Sequence, residues 1–154
     1  MSTGLDRIDR AILNLLQQDC RLTQQEIAER IGSSSTSVWR RIQNLEEKGI
    51  IRARVALLDY KAVGLSVCVI CNVKLTHHSD DTRLAFEALV AELPEVTQCY
   101  AISGAHDYAL TVVVASVEAY ERFLTQHMLN SHLVDTAASS FTLRTVKYKT
   151  EVPL

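Results

Sequence analysis

The sequence predicts an α+β protein in two parts: an N-terminal winged helix-turn-helix unit, then a ferredoxin-like βαββαβ unit with a four-stranded antiparallel sheet. Three observations predict it. Residues 22–51 hold two capped amphipathic helical segments joined by a glycine-serine turn. Residues 65–75, 96–103, 108–115 and 136–147 have the alternating, β-branched character of strands. Two further helical patterns fall between them in the order strand, helix, strand, strand, helix, strand, the split βαβ arrangement.

The first helix is expected from about Asp6 to Gln18, with Leu5, Ile8, Ile12, Leu13, Leu15 and Leu16 forming an apolar face. The helix-turn-helix follows at about residues 24–43. Thr23 and Glu26 have the spacing of a reciprocal capping box, and Gly32 stops that helix. Ser33, Ser34 and Ser35 supply the turn and a second N-cap, and Val38, Ile42 and Leu45 recur as one buried stripe. Gly49 ends the second helix, and Ile50 to Leu57 reads as short, wing-like extended segments.

That stripe leaves the second helix a free polar face. Ser34, Ser35, Thr36, Ser37 and Arg40 lie on or beside it, with Gln43 further along, Trp39 at its edge and Arg41 flanking the stripe. Hydroxyls and guanidinium groups there suit phosphates and major-groove base edges, so double-stranded DNA is the expected partner. The plainer alternative is a helical hairpin with a solvated basic face. Charge favours DNA: residues 1–61 hold ten Lys and Arg against eight Asp and Glu, whereas residues 62–154 hold six against ten. The excess is modest, so affinity requires two or more copies on repeated half-sites.

In the second part, Leu65, Val67, Val69, Cys71, Val73 and Leu75 alternate onto one face of a strand. A helix over Asp81 to Leu93 is expected with Leu84, Ala85, Ala88, Leu89 and Ala91 inward, ended by Pro94. Strands Val96–Ser103 and Tyr108–Ala115 flank the loop Gly104-Ala105-His106-Asp107, and a helix from Val117 to Met128 precedes the last strand, Thr136 to Lys147. The domains are therefore expected as 1–60 and 61–154. The sheet face away from the helices should carry Cys68, Ile70, Cys99, Ala101, Ala109, Thr111, Val113, Ala138 and Ser140. A second copy is the expected cover for so apolar a face, with the linker or C-terminal tail as the alternative.

Other chemistry is less favoured. Cys68 and Cys71 have zinc-pair spacing, but three residues apart on a strand they point to opposite faces, and no second pair completes a site. No metal is expected, and the cysteines read as plain thiols. The apolar runs are too short to span a bilayer, and the N-terminus lacks a signal pattern, so a cytoplasmic protein without a membrane partner is expected.

The run Ser34-Ser35-Thr36-Ser37-Val38-Trp39-Arg40-Arg41-Ile42 and the downstream Gly104-Ala105-His106-Asp107-Tyr108 resemble the Lrp/AsnC family of prokaryotic regulators. Leu5-Asp6-Arg7-Ile8-Asp9 and Leu45-Glu46-Glu47-Lys48-Gly49-Ile50-Ile51 extend the resemblance over nearly the whole chain. It implies nucleoid-associated dimers, often assembled into octamers, that bind a small amino acid and alter transcription of amino-acid metabolism genes. The effector would sit between subunits, held by Gly104, Ala105, His106, Asp107 and Tyr108 with Ser140 and Thr142 of the last strand. A glycine admits backbone N–H groups to a carboxylate, and Asp107 suits an ammonium group. The same residues also read as a hairpin turn capped by Asp107. Where the family commonly has an aromatic before the aspartate, this chain has His106.

His77-His78-Ser79, Ser139-Ser140-Phe141 and Tyr148-Lys149-Thr150 are similar to a branch that includes regulators of cysteine and sulfur metabolism, which points to cysteine as effector. They equally suit loop and edge-strand chemistry. Certain haem-precursor decarboxylases also resemble this architecture, and His106, Asp107 and Tyr108 would then be acid or base groups. The intact DNA-reading pattern argues for a regulator, not an enzyme, with an effector-independent DNA organiser as a further alternative. No cofactor beyond the effector is expected.

Overall fold

The computed structural model describes residues 4–154, so the first three residues of the expected 1–60 domain lie outside the described residues. Two compact units result. One comprises the chain up to Ala56 together with Lys147–Leu154, and the other is Leu57–Val146. The last eight residues thus join the first unit, where Gln17 Nε2 donates to the Val152 carbonyl at 3.2 Å and Gln17 Oε1 accepts the Val152 N–H at 2.7 Å.

The first unit is three helices: α1 (Arg7–Gln18), α2 (Gln24–Ile31) and α3 (Ser35–Glu47). Each begins on a side-chain cap, Asp6, Thr23 and Ser34, and the first two close full capping boxes with Asp9 and Glu26. Gly32 adopts φ +66°, a left-handed conformation that costs a residue without Cβ little, and this turns the chain between α2 and α3. Ile12, Ile27, Ala28, Val38 and Ile42 form the core, with Leu15, Leu16, Leu22, Ile31 and Ile51 packed around it. Ile8, expected on this apolar face, is exposed. The expected wing differs as well: residues 52–59 form no strand. An isolated extended segment has no ladder to satisfy, and here it lies exposed.

The second unit contains β1 (Val67–Leu75), α4 (Asp80–Ala91), β2 (Val96–Ala101), β3 (Tyr108–Val114), α5 (Val117–Phe123), a π-helical segment (Leu124–Leu129) and β4 (Val134–Phe141). The antiparallel sheet has the order β2-β3-β1-β4. Val69, Cys71, Val73 and Leu75 of β1 join Tyr108, Leu110, Val112 and Val114 of β3 beneath Phe86, Val90, Tyr120, Phe123 and Met128, so both helices cover one face. The last strand stops at Phe141, six residues before the expected end.

Two expectations about facing are corrected. In α4 the inward residues are Phe86 and Val90 with Leu89 partly buried, whereas Leu84, Ala85, Ala88 and Ala91 are exposed. Alanine and leucine fit several faces of this apolar helix, and the sheet selected the face carrying the large Phe86 ring, whose centroid lies 4.8 Å from that of Tyr108 with the planes tilted by 44°. In β2, a register shift between Val96 and Gln98 places Thr97 and Gln98 against Thr111. Such a bulge inverts every later residue of the strand. Gln98 and Tyr100, not Cys99 and Ala101, therefore share the open face with Ile70, Ala109, Thr111, Ala138 and Ser140.

Among the described residues, all four cysteines are free and no group of His, Cys, Asp and Glu is placed to hold a metal ion. No helix among the described residues is long and apolar enough to cross a membrane.

Candidate DNA-binding and effector surfaces

The turn Gly32–Ser34 sets α3 with its N-terminal end exposed. Ser34 Oγ accepts the Ser37 N–H at 3.2 Å. Ser35, Thr36 and Arg40 are exposed, Ser37 is half-buried, and Trp39 keeps 49% of its surface open. Val38, Ile42 and Leu45 are buried on the opposite side of the same helix, so the side chains with hydrogen-bonding capacity are left outward. Arg40 has no ion pair among the described residues, which leaves a full positive charge on this face.

Arg41, expected beside Arg40 as a DNA contact, is engaged within the unit instead. Its Nη1 lies 2.7 Å from Asp6 Oδ2 and 2.7 Å from Asp9 Oδ1. The carboxylates of Asp9 and Asp6 raise its already high pKa, so it is a fixed cation. Nothing in local pattern signals this pairing, because the partners lie 32 and 35 residues away in sequence.

The loop after β2 joins β3 at one end of the sheet. Gly104 has φ +124°, and Gly104 and Ala105 are exposed. Asp107 is tied to β1 twice and to the segment after it once: its N–H donates to the Val73 carbonyl at 2.9 Å, its Oδ2 accepts the Leu75 N–H at 2.8 Å, and its Oδ1 lies 3.3 Å from His78 Nδ1. His106 is half-buried beside it. Tyr108, expected with this loop, turns its side chain into the helix-covered core, where its hydroxyl donates to Glu87 Oε1 at 2.7 Å. Alternation after Asp107 dictates this, since Tyr108 begins the inward series of β3.

Ser140 pairs with Ile70 on the open face, and Thr142 N–H and Oγ1 both donate to the Cys68 carbonyl, at 3.0 Å and 2.9 Å. Asp107 sits level with Val73 and Thr142 with Cys68, five residues apart on β1, or ~17 Å at 3.4 Å per residue. They also flank β1 on opposite sides, since β3 and β4 are its two neighbours. One chain does not bring the two groups together.

Residues 68–152 match the Lrp/AsnC ligand binding domain, and residues 5–52 match a winged helix-turn-helix DNA-binding domain. This chain belongs to the Lrp/AsnC family. It is 37% identical over 150 residues to the DNA-binding transcriptional activator DecR of Escherichia coli, covering 97% of this chain and 99% of that one. It is 38% identical to the glutamate uptake regulatory protein of Zymomonas mobilis, covering 100% and 93%. Among solved structures, an L-Met complex of a transcriptional regulator from Neisseria meningitidis superimposes with a TM-score of 0.92 at 36% identity, covering 97% and 96%. An AsnC family regulator from Agrobacterium tumefaciens gives 0.91 at 40%, covering 97% of each chain. As an Lrp/AsnC protein, the chain is a DNA-binding transcriptional regulator that joins a helix-turn-helix to a ligand-binding domain.

Proposed function

We propose that this Lrp/AsnC protein regulates genes of amino-acid metabolism as a dimer or higher assembly, in the cytoplasm and on the nucleoid, in response to a small amino acid bound between subunits. One observation carries the effector part. Asp107 and Thr142 stand ~17 Å apart along β1, with Ser140 between them at the level of Ile70, and the helices packed on this sheet cover the face opposite Ile70, Ala109, Ala138 and Ser140. A second copy laid on that face by two-fold symmetry covers it and carries one chain's Ser140 and Thr142 toward the other's loop. In this reading Gly104 and Ala105 offer backbone N–H groups to the carboxylate, and the Asp107 oxygen facing His78 meets the ammonium group. Tyr108 supports the site from below without touching the ligand.

On the DNA side, Ser34, Ser35, Thr36, Ser37, Trp39 and Arg40 face the duplex, with hydroxyls on phosphates and Arg40 on a base edge or phosphate. The protein works without a catalytic step. Of the three acid or base groups an enzyme reading requires, the Tyr108 hydroxyl is held by Glu87 in the interior.

The test is thermal unfolding with each of the twenty amino acids, beginning with methionine, glutamate and cysteine. A ligand at 100 times its dissociation constant adds about 2.7 kcal/mol of stability. A selective rise in Tm with one or a few is the expected result. No rise with any of them removes the amino-acid reading.

A further inference from the structure

We infer that Arg41 is a positioning residue for DNA recognition: clamped on Asp6 and Asp9, it sets the rotation of α3 and so aims the Ser35, Thr36, Trp39 and Arg40 face without itself touching DNA. The inference rests on α3 as the helix that reads DNA.

Successive residues of a helix stand 100° apart, so Arg40 and Arg41 cannot share one outlook. Arg40 is exposed, while the Arg41 side chain retains only 25% of its surface and Asp9 only 11%. Arg41 Nε is buried with no hydrogen-bond partner among the described residues, which a residue held for phosphate binding has no reason to accept. The two carboxylates are themselves rigid. Asp6 and Asp9 form the capping box of α1, with Asp6 Oδ1 accepting the Asp9 N–H at 2.8 Å and Asp9 Oδ2 accepting the Asp6 N–H at 3.2 Å. Each thus uses one oxygen for α1 and the other for Arg41.

The apolar core of Ile12, Ile27, Ala28, Val38 and Ile42 fixes how closely α3 lies against its neighbours. Such packing is non-directional and holds rotation about the helix axis weakly. A guanidinium shared by two fixed oxygens is directional. With side-chain ends about 5–6 Å from the axis, a turn of roughly 20° moves them by about 2 Å. That displacement breaks a hydrogen bond to a base edge. The clamp also carries two negative charges against one positive, so it offers phosphates no attraction.

That charge balance gives positioning and plain electrostatics opposite signs. Asp9→Asn removes a negative charge from the DNA-binding unit, so simple electrostatics raises affinity for DNA, whereas loss of positioning lowers it for the correct sequence. The probes are a duplex selected from random-sequence DNA by the wild-type protein and an unselected duplex of equal length. Binding is followed against salt concentration, below the melting temperature of each variant. Asp9→Asn and Arg41→Met are each expected to lower affinity for the selected duplex roughly tenfold, the cost of one good base contact. The unselected duplex is bound no more weakly, and the salt slope is unchanged. Where Asp9→Asn melts below the assay temperature, Asp6→Asn replaces it, since that carboxylate is half exposed.

Three results overturn the inference. Equal weakening on both duplexes with the salt slope of Arg41→Met reduced by about 1 makes Arg41 a phosphate contact. Wild-type affinity for the selected duplex in folded variants makes the clamp purely structural. Arg40→Ala is the control: if it leaves DNA binding unchanged, α3 is not the reading helix and the inference falls with that assignment.

Discussion

The Asp107 carboxylate is bound to the backbone of β1, its Oδ2 accepting the Leu75 N–H at 2.8 Å. Together with the Asp107 N–H on the Val73 carbonyl, this pins the loop to the sheet end and leaves one oxygen, Oδ1, facing His78. The residue expected to hold an effector is thus also a structural cap, and the two roles separate by substitution.

Asp107→Asn keeps an acceptor for Leu75 but loses the charge. It is expected to leave stability within about 1 kcal/mol and basal DNA binding intact while abolishing the effector response. Asp107→Ala strands the Leu75 N–H and is expected to cost ~1–3 kcal/mol. Urea unfolding measures the first quantity and effector-dependent DNA retention the second. An Asn variant that still responds at wild-type effector concentration removes Asp107 from the site.

The α4 face makes a second prediction. Phe86 is fully buried, so Phe86→Ala is expected to cost ~3–5 kcal/mol. Leu84 is 56% exposed, so Leu84→Ala is expected to change stability by less than about 0.5 kcal/mol. Comparable losses from both in denaturant titrations would restore the alternative helix face.

Alkaline stability turns on two tyrosines. Burial pushes Tyr108 and Tyr120 well above the ordinary range, with the Glu87 hydrogen bond adding to the effect at Tyr108. Unfolded tyrosines ionise near ~10. A raised folded pKa therefore leaves stability fully present below that point and removes it progressively above, because the unfolded chain loses its protons first. The urea midpoint should fall as pH rises past about 10, and Tyr120→Phe should make the fall shallower. On the acid side, the Arg21 guanidinium lowers the half-buried Asp19 to about 2. Its small contribution is present above the usual carboxylate range and lost as pH falls toward that value.

The pairing of Gln17 with both backbone groups of Val152 fastens the C-terminal segment to α1. Gln17→Ala should speed hydrogen exchange at the Val152 amide with little change in global stability, since the contact is exposed. Unaltered exchange would mean the segment is held by other contacts.

Local signals carried much of this protein. Capping residues Thr23, Glu26 and Ser34, the stop at Gly32 and the stripe Val38, Ile42, Leu45 act within a turn or two of helix, so the helix-turn-helix was legible residue by residue. The order of strands and helices in the second unit was legible for the same reason, as was the inward series of β1. Facing and pairing were not. A bulge at Thr97 and Gln98 leaves no mark in a strand's composition, yet it turns Tyr100 outward and Cys99 inward. Ala-rich α4 had several plausible inner faces until the sheet met Phe86. Arg41 reads as one of two equivalent arginines until folding brings Asp6 and Asp9 against it. Periodicity and capping depend on neighbours in the chain, whereas register, helix rotation and charge partnership depend on neighbours in space, which assembly of the core supplies.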